Sequence, residues 1–163
     1  MTESLMTVRG LYGRRPFLLG GAASAALILA GGTPSIAKTA AAPPIKVYKD
    51  PNCGCCGQWV EYMTKHGFKL AVENRDSMDV IKKMARVPDE LWSCHTSVVG
   101  GYVVEGHVPV DAVRKLLKEK PKLKGIGLPG MPSGSPGMPG RKEAPFKIMG
   151  FSVDGKTKLY TRI

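Results

Sequence analysis

Residues 45–67 read IKVYKDPNCGCCGQWVEYMTKHG, and the change of period inside this stretch decides the architecture. Ile45 and Val47 alternate with polar neighbours at period two, the mark of a strand. Past the turn residues Asp50, Pro51 and Asn52, residues 57–66 set Trp59, Val60 and Met63 on one helical face, with Gly67 placed to cap the end. Cys53, Cys55 and Cys56 occupy the joint between the two periods. A strand that feeds a helix through a cysteine-bearing turn is the opening unit of an α/β domain.

Working outward towards the C-terminus, FKLAVEN (68–74) reads as a second strand. Ser77 is placed to cap a helix over MDVIKKMARV (78–87), in which Met78, Ile81 and Met84 or Ala85 recur at helical spacing and Pro88 bars continuation. TSVVGGYVVEGHV (96–108) offers two apolar runs around Gly100-Gly101, the pattern of a tight hairpin. Pro109 opens a last helix, VDAVRKLLKEK, with Val110, Val113, Leu116 and Leu117 as its buried stripe. The order strand, helix, strand, helix, hairpin, helix is thioredoxin-like: a central mixed sheet flanked by helices. Residues 121–145 contain GIGLPGMPSGSPGMPGRKEAP, a loop crowded with glycine, proline and methionine that is expected to hold no regular element. Its two copies of PGMP are too few for a repeat architecture. FKIMGFSV and KTKLYTRI then flank Asp154-Gly155 as a C-terminal hairpin.

Towards the N-terminus, Arg9, Arg14 and Arg15 precede the apolar run FLLGGAASAALILAGG (17–32), followed by the small residues near Ala37. The run is too short and too rich in glycine and alanine for a comfortable membrane span, and the pattern is that of an export signal peptide over residues 1–37. GRRPFLL resembles the twin-arginine signal, which exports folded proteins; an ordinary secretory peptide is the plainer reading, and a retained N-terminal anchor a third. With cleavage, residues 38–44 form a linker and 45–163 a single domain in the periplasm, with no stable membrane insertion expected. The 24 basic and 13 acidic residues fall to 21 and 12, so the basic balance, +9, belongs to the mature chain. Its lysines (Lys82, Lys83, Lys115, Lys118, Lys120, Lys122 and Lys124) are spread out rather than interleaved with aromatics, which fits solvated helix faces and argues against nucleic acid as a partner.

Cys94, in SCHT, completes a set of four cysteines. Four cysteines in an exported chain usually mean two disulfides. Adjacent Cys55 and Cys56 pair only through a strained peptide, and one intervening residue disfavours Cys53 with Cys55. That leaves the C-x-x-C pair Cys53 and Cys56, with Cys55 and Cys94 as the other bond. A thiol-disulfide oxidoreductase is then one reading, in which Cys53 attacks and Cys56 resolves the mixed disulfide; Cys55 has no part in it. A metal explains the crowding more directly. Thiolates with imidazole and thioether suit copper(I) best, and zinc or an iron-sulfur cluster less specifically. The N-terminus of the following helix favours thiolate over thiol. His95 follows Cys94 in the loop expected before the third strand, beside the first cysteine loop, so both should face the cluster. His107, Met131 and Met138 are secondary candidate ligands, whereas His66, Met63, Met78 and Met84 read as structural residues.

Taken together and in order, CGCCGQWVEYM, SCHTSVVGGYVVEGHVP and GLPGMPSGSPGM resemble the small exported metal-binding proteins of the CopG copper-resistance type. The resemblance runs from about residue 45 to residue 138. It implies a thioredoxin-like fold and a copper site of Cys53, Cys55, Cys56, Cys94 and His95, holding a multinuclear, thiolate-bridged copper(I) cluster. It also implies copper handling or resistance in the periplasm, with copper ions and other copper-handling proteins as partners and copper redox activity as an extension of the same site. One departure from ordinary thioredoxins is that Cys94-His95-Thr96-Ser97 holds no proline before the third strand, where thioredoxins use a cis-proline to present a substrate backbone. That argues against a general dithiol exchanger.

Overall fold

The structure, a computed structural model, describes residues 42–163. The expected export signal over 1–37 and residues 38–41 of the expected linker lie outside the described residues.

Strand β1 (Ile45–Lys49) buries alternate residues and lies between β2 (Leu70–Asn74), parallel to it, and β3 (His95–Val99), antiparallel to it. Helix α1 (Gly54–Lys65) makes the crossover from β1 to β2 and buries Cys56, Trp59 and Met63. It ends in two bonds, Gly67 N–H to the Thr64 carbonyl and Phe68 N–H to the Met63 carbonyl, with Met63 and Phe68 both in the core. These are the paired bonds and apolar contact of a Schellman cap. β3 turns into β4 (Tyr102–Glu105) through Gly100 (φ +55°) and Gly101 (φ +85°), the two positive φ values that a two-residue hairpin with matching twist requires. Helix α3 (Val110–Glu119) carries the chain from β4 to the parallel strand β5 (Gly125–Gly127). β6 (Lys147–Phe151) and β7 (Thr157–Arg162) complete a seven-stranded mixed sheet in the order β2-β1-β3-β4-β5-β6-β7.

Successive residues of a strand face opposite sides, and Val103 and Val104 divide the interior accordingly. On one side Val104 joins Ile45, Val47, Val99, Ile126 and Ile148 under Trp59 and Met63 of α1 and Val113 and Leu116 of α3. On the other, Val103 packs with Val87, Leu91 and Phe151 in a smaller cluster. That side also carries helix α2 (Met78–Met84) and a short 3-10 turn at Asp89–Leu91. No helix among the described residues is long and apolar enough to cross a membrane.

Four expectations are corrected. α1 begins three residues earlier than its apolar stripe implies, so Cys53 is its N-cap and Cys55 and Cys56 lie within its first turn. The cause is local: the Asp50 carboxylate and carbonyl accept the N–H groups of Asn52 and Cys53, and the Cys53 carbonyl accepts from Gly57, so the turn closes directly into the helix. His95 is the first residue of β3 rather than a loop residue, paired across from Lys49. The glycine-rich segment holds a strand, β5, because β4 and β6 offer hydrogen bonds on both sides. Only glycine fits there: a Cβ on Gly125 would stand 2.3 Å from the Val103 carbonyl oxygen and 2.7 Å from the Phe151 ring. Finally, α2 turns Met84 outward, 77% exposed, and buries Lys82 to 3%, reversing the roles that helical spacing and the solvated-lysine reading give them.

Candidate metal centre

The cysteine turn is held from beneath by Lys49, whose ammonium donates to the carbonyls of Asp50 (2.7 Å) and Pro51 (3.3 Å). Cys53 and Cys56 are joined as a disulfide, and Cys55 and Cys94 are free thiols. Cys55 Sγ lies 3.6 Å from Cys53 Sγ and 3.7 Å from Cys94 Sγ. All four sulfurs fall within 4.8 Å of one another. Two segments separated by 39 residues therefore meet at one end of the sheet.

A second group adjoins the first. Cys56 Sγ and nitrogen atoms of His95 and His107 also lie within 4.8 Å of one another, and all three residues are buried. Cys56 belongs to both groups. The His95 ring sits 4.5 Å from Trp59 and 5.1 Å from His107, centroid to centroid. Trp59 is fixed in turn by its indole N–H, which donates to the Val108 carbonyl at 3.0 Å.

The imidazoles have an unusual status. Both ring nitrogens of His95 and Nε2 of His107 are buried with no hydrogen-bond partner. Such orphans cost about 1–3 kcal/mol each and are rare in folded proteins, so they point to a ligand. His107 Nδ1 lies 2.7 Å from the Pro136 carbonyl. A carbonyl only accepts, so Nδ1 carries the proton and the lone pair is on Nε2. Burial holds the His95 pKa well below the ordinary histidine value, with His107, Lys82 and Lys49 adding to the effect. Burial lowers that of His107 too, against the opposing pull of the Pro136 carbonyl. Neutral imidazoles with free lone pairs beside clustered sulfur are a soft, metal-ready donor set.

The structure brings together Cys53, Cys55, Cys56, Cys94 and His95, and adds His107 from the secondary candidates. The methionines stand differently. Met131 is exposed at φ +44°, while Met138 is half-buried and follows Gly137, which is pressed onto the first turn of α1. A Cβ on Gly137 would stand 2.7 Å from the Cys55 carbonyl oxygen and 2.8 Å from Trp59 N. The Gly/Pro/Met segment thus covers the cysteine turn and supplies the carbonyl that sets the His107 tautomer. Sequence reasoning missed Glu105 and Lys82, which bear on the site from the far side of the sheet. The odd signal was a glutamate inside the apolar run YVVEGHV.

Residues 91–138, from the turn before Cys94 to Met138, match the family model described as a protein of unknown function, DUF411. Two solved structures, described as copper resistance protein copG in forms 1 and 2, are each 36% identical to the chain. Each superposes with a TM-score of 0.69 over 75% of this chain and 98% of the other. No curated protein sequence matches. At that identity and coverage, the chain belongs to the CopG-type copper-resistance family.

Proposed function

We propose that the chain binds copper(I) on Cys53, Cys55, Cys56, Cys94, His95 and His107, as a thiolate-bridged cluster of more than one ion, in copper handling or resistance. The observation that carries this reading is the sharing of Cys56 between a four-sulfur group and a buried group containing three unpartnered imidazole nitrogens. A single ion does not use donors so arranged, whereas bridging thiolates do. Copper(I) suits this mixture of thiolate and imidazole better than zinc, which favours one closed tetrahedron, or an iron-sulfur cluster, which favours cysteine alone. The metal-binding form is the reduced one, in which the Cys53–Cys56 disulfide has taken up two electrons and two more sulfurs become ligands. Met138 is a further ligand in this reading, and Met131 a weaker one.

The first half of the domain supports a thioredoxin-like reading: β1 lies between parallel β2 and antiparallel β3, with the cysteines where β1 enters α1. The export signal over residues 1–37 places the protein in the periplasm, by the twin-arginine route, where other copper-handling proteins are its exchange partners. Copper redox activity extends the same centre.

Anaerobic reconstitution with copper(I) and metal counting test the reading. More than one copper per chain is expected, and Cys55→Ser should lose most of it. A second reading, thiol-disulfide exchange by Cys53 and Cys56, is favoured by the disulfide itself. Unchanged copper content in Cys55→Ser, with disulfide reductase activity in the native chain that Cys53→Ser abolishes, selects that reading.

A further inference from the structure

Behind the proposed metal centre, on the opposite face of the sheet, the fold buries a charged residue that belongs to neither Cys/His group. Glu105 ends β4 with no exposed surface. Its neighbours come from α2, from β3 and from the loop that leads into β3. Oε1 accepts from the Lys82 ammonium of α2 at 2.5 Å and from the Ser93 backbone N–H at 2.7 Å. Oε2 accepts from the Thr96 hydroxyl of β3 at 2.7 Å, and Lys82 also lies 3.3 Å from that hydroxyl. Thr96 pairs with Glu105 across the strands, and the His95 carbonyl accepts from Gly106 N–H at 2.9 Å.

Ser93 precedes Cys94 and Thr96 follows His95, so one carboxylate grips the chain on both sides of the Cys94-His95 pair. The strand alternation that sends Thr96 to the far face sends His95 to the face of Trp59 and His107. A buried ion pair is weak evidence for stability, since well-packed apolar residues commonly serve as well or better. Its use lies in specifying geometry. The segment from Trp92 to Cys94 has no ladder bonds, and Ser93 N–H has this carboxylate as its partner.

We propose that the Lys82–Glu105 pair is a positioning device which, by holding Ser93 and Thr96 together, sets the Cys94 thiol and His95 imidazole against the C-x-C-C turn. This rests on the copper reading for its consequence but not for its geometry, and the two are measured separately. In the oxidised chain Cys55 and Cys94 are the free thiols, 3.7 Å apart. Phenylarsine oxide bridges two such thiols, its arsenic taking both sulfurs while its oxygen leaves with the two thiol protons as water.

The variant Lys82→Met/Glu105→Leu removes both charges together, so no unpaired ion is left buried. Expected are a retained melting transition and an intact Cys53–Cys56 disulfide, but arsenical bridging and reduced-form copper(I) affinity each weakened about 10- to 100-fold, the usual effect of losing a partner that orients ligands. Unchanged bridging in the folded variant overturns the proposal and leaves the pair a packing feature. Weakened bridging with undiminished copper affinity keeps the device and removes Cys94 and His95 from the copper centre. Should the double variant not fold, Thr96→Val, which keeps the ion pair and cuts one of the two tethers, decides by the same two measurements: several-fold weaker bridging supports the proposal, and native bridging overturns it.

Discussion

At the scale of single residues, substitutions at His107 and Trp59 separate the proposed metal ligands from what holds the fold. The Pro136 carbonyl fixes the proton on His107 Nδ1 and leaves Nε2 buried without a hydrogen-bond partner, in a residue grouped with Cys56 and His95. His107→Phe keeps an aromatic ring, somewhat larger, at this buried position, removes the lone pair and strands one carbonyl. Fewer copper(I) ions per chain are expected on anaerobic titration, with a loss of about 1–2 kcal/mol in urea unfolding. Trp59→Phe is the contrast: the ring still covers His95, but the bond to the Val108 carbonyl goes. About 1 kcal/mol of stability should be lost there, with the copper count unchanged. Equal copper loss in both variants, or in neither, takes His107 out of the centre.

At the scale of elements, the segment laid over the cysteine turn makes the sharpest prediction. Gly137 has φ +86° and faces the Cys55 carbonyl and Trp59 N at distances that leave no room for a methyl group. Gly137→Ala therefore meets two penalties, a left-handed backbone costing about 1–2 kcal/mol and a collision with backbone atoms that have nowhere to retreat. Gly130→Ala, at φ +76° with nothing near its Cβ, meets the first alone. Alkylation of Cys55 by iodoacetamide should accelerate in Gly137→Ala and stay near the native rate in Gly130→Ala; equal rates would mean that the segment does not shield the turn. What was legible in the sequence follows the same division between local and distant causes. The periods of β1, α1, α3 and the two hairpins, and the convergence of Cys94 and His95 on the first cysteines, rest on spacing and element order, which a sequence displays. β5 was hidden because three residues, Gly-Ile-Gly, have no period of their own and are a strand only by virtue of two neighbours. Lys82 and Met84 were exchanged because helical spacing fixes which residues share a face but not which face is turned inward, and a buried glutamate on a distant strand makes that choice. The early start of α1 escaped because cysteines carry no helix signal, and Asp50 acts on the turn through its own side chain and carbonyl.

For the whole molecule, oxidation and the proposed metal binding draw on the same sulfurs, and their energies can be compared. A disulfide stabilises mainly by closing a loop in the unfolded chain, and Cys53 and Cys56 are only three residues apart. On the chain-entropy model so short a loop is worth about 2 kcal/mol. Copper(I) binding that is confined to the folded form contributes about 2.7 kcal/mol at a hundredfold excess of free metal over Kd, and about 1.4 kcal/mol more for each further tenfold. The reduced chain without metal should thus melt below the oxidised chain, and copper(I) at high buffered concentration should restore its melting temperature to the oxidised value or carry it several degrees beyond. The oxidised chain, with two of its four sulfurs tied up, should gain less from the same metal. Differential scanning calorimetry under anaerobic conditions, with a cuprous chelator setting the free copper, reads all four states. Unfolded thiols also take up copper(I), which reduces the gain without changing its order across the states. A reduced chain whose melting temperature does not move with copper would place any bound metal on cysteines that the fold has not assembled, and equal gains in the two redox forms would mean that Cys53 and Cys56 are not ligands.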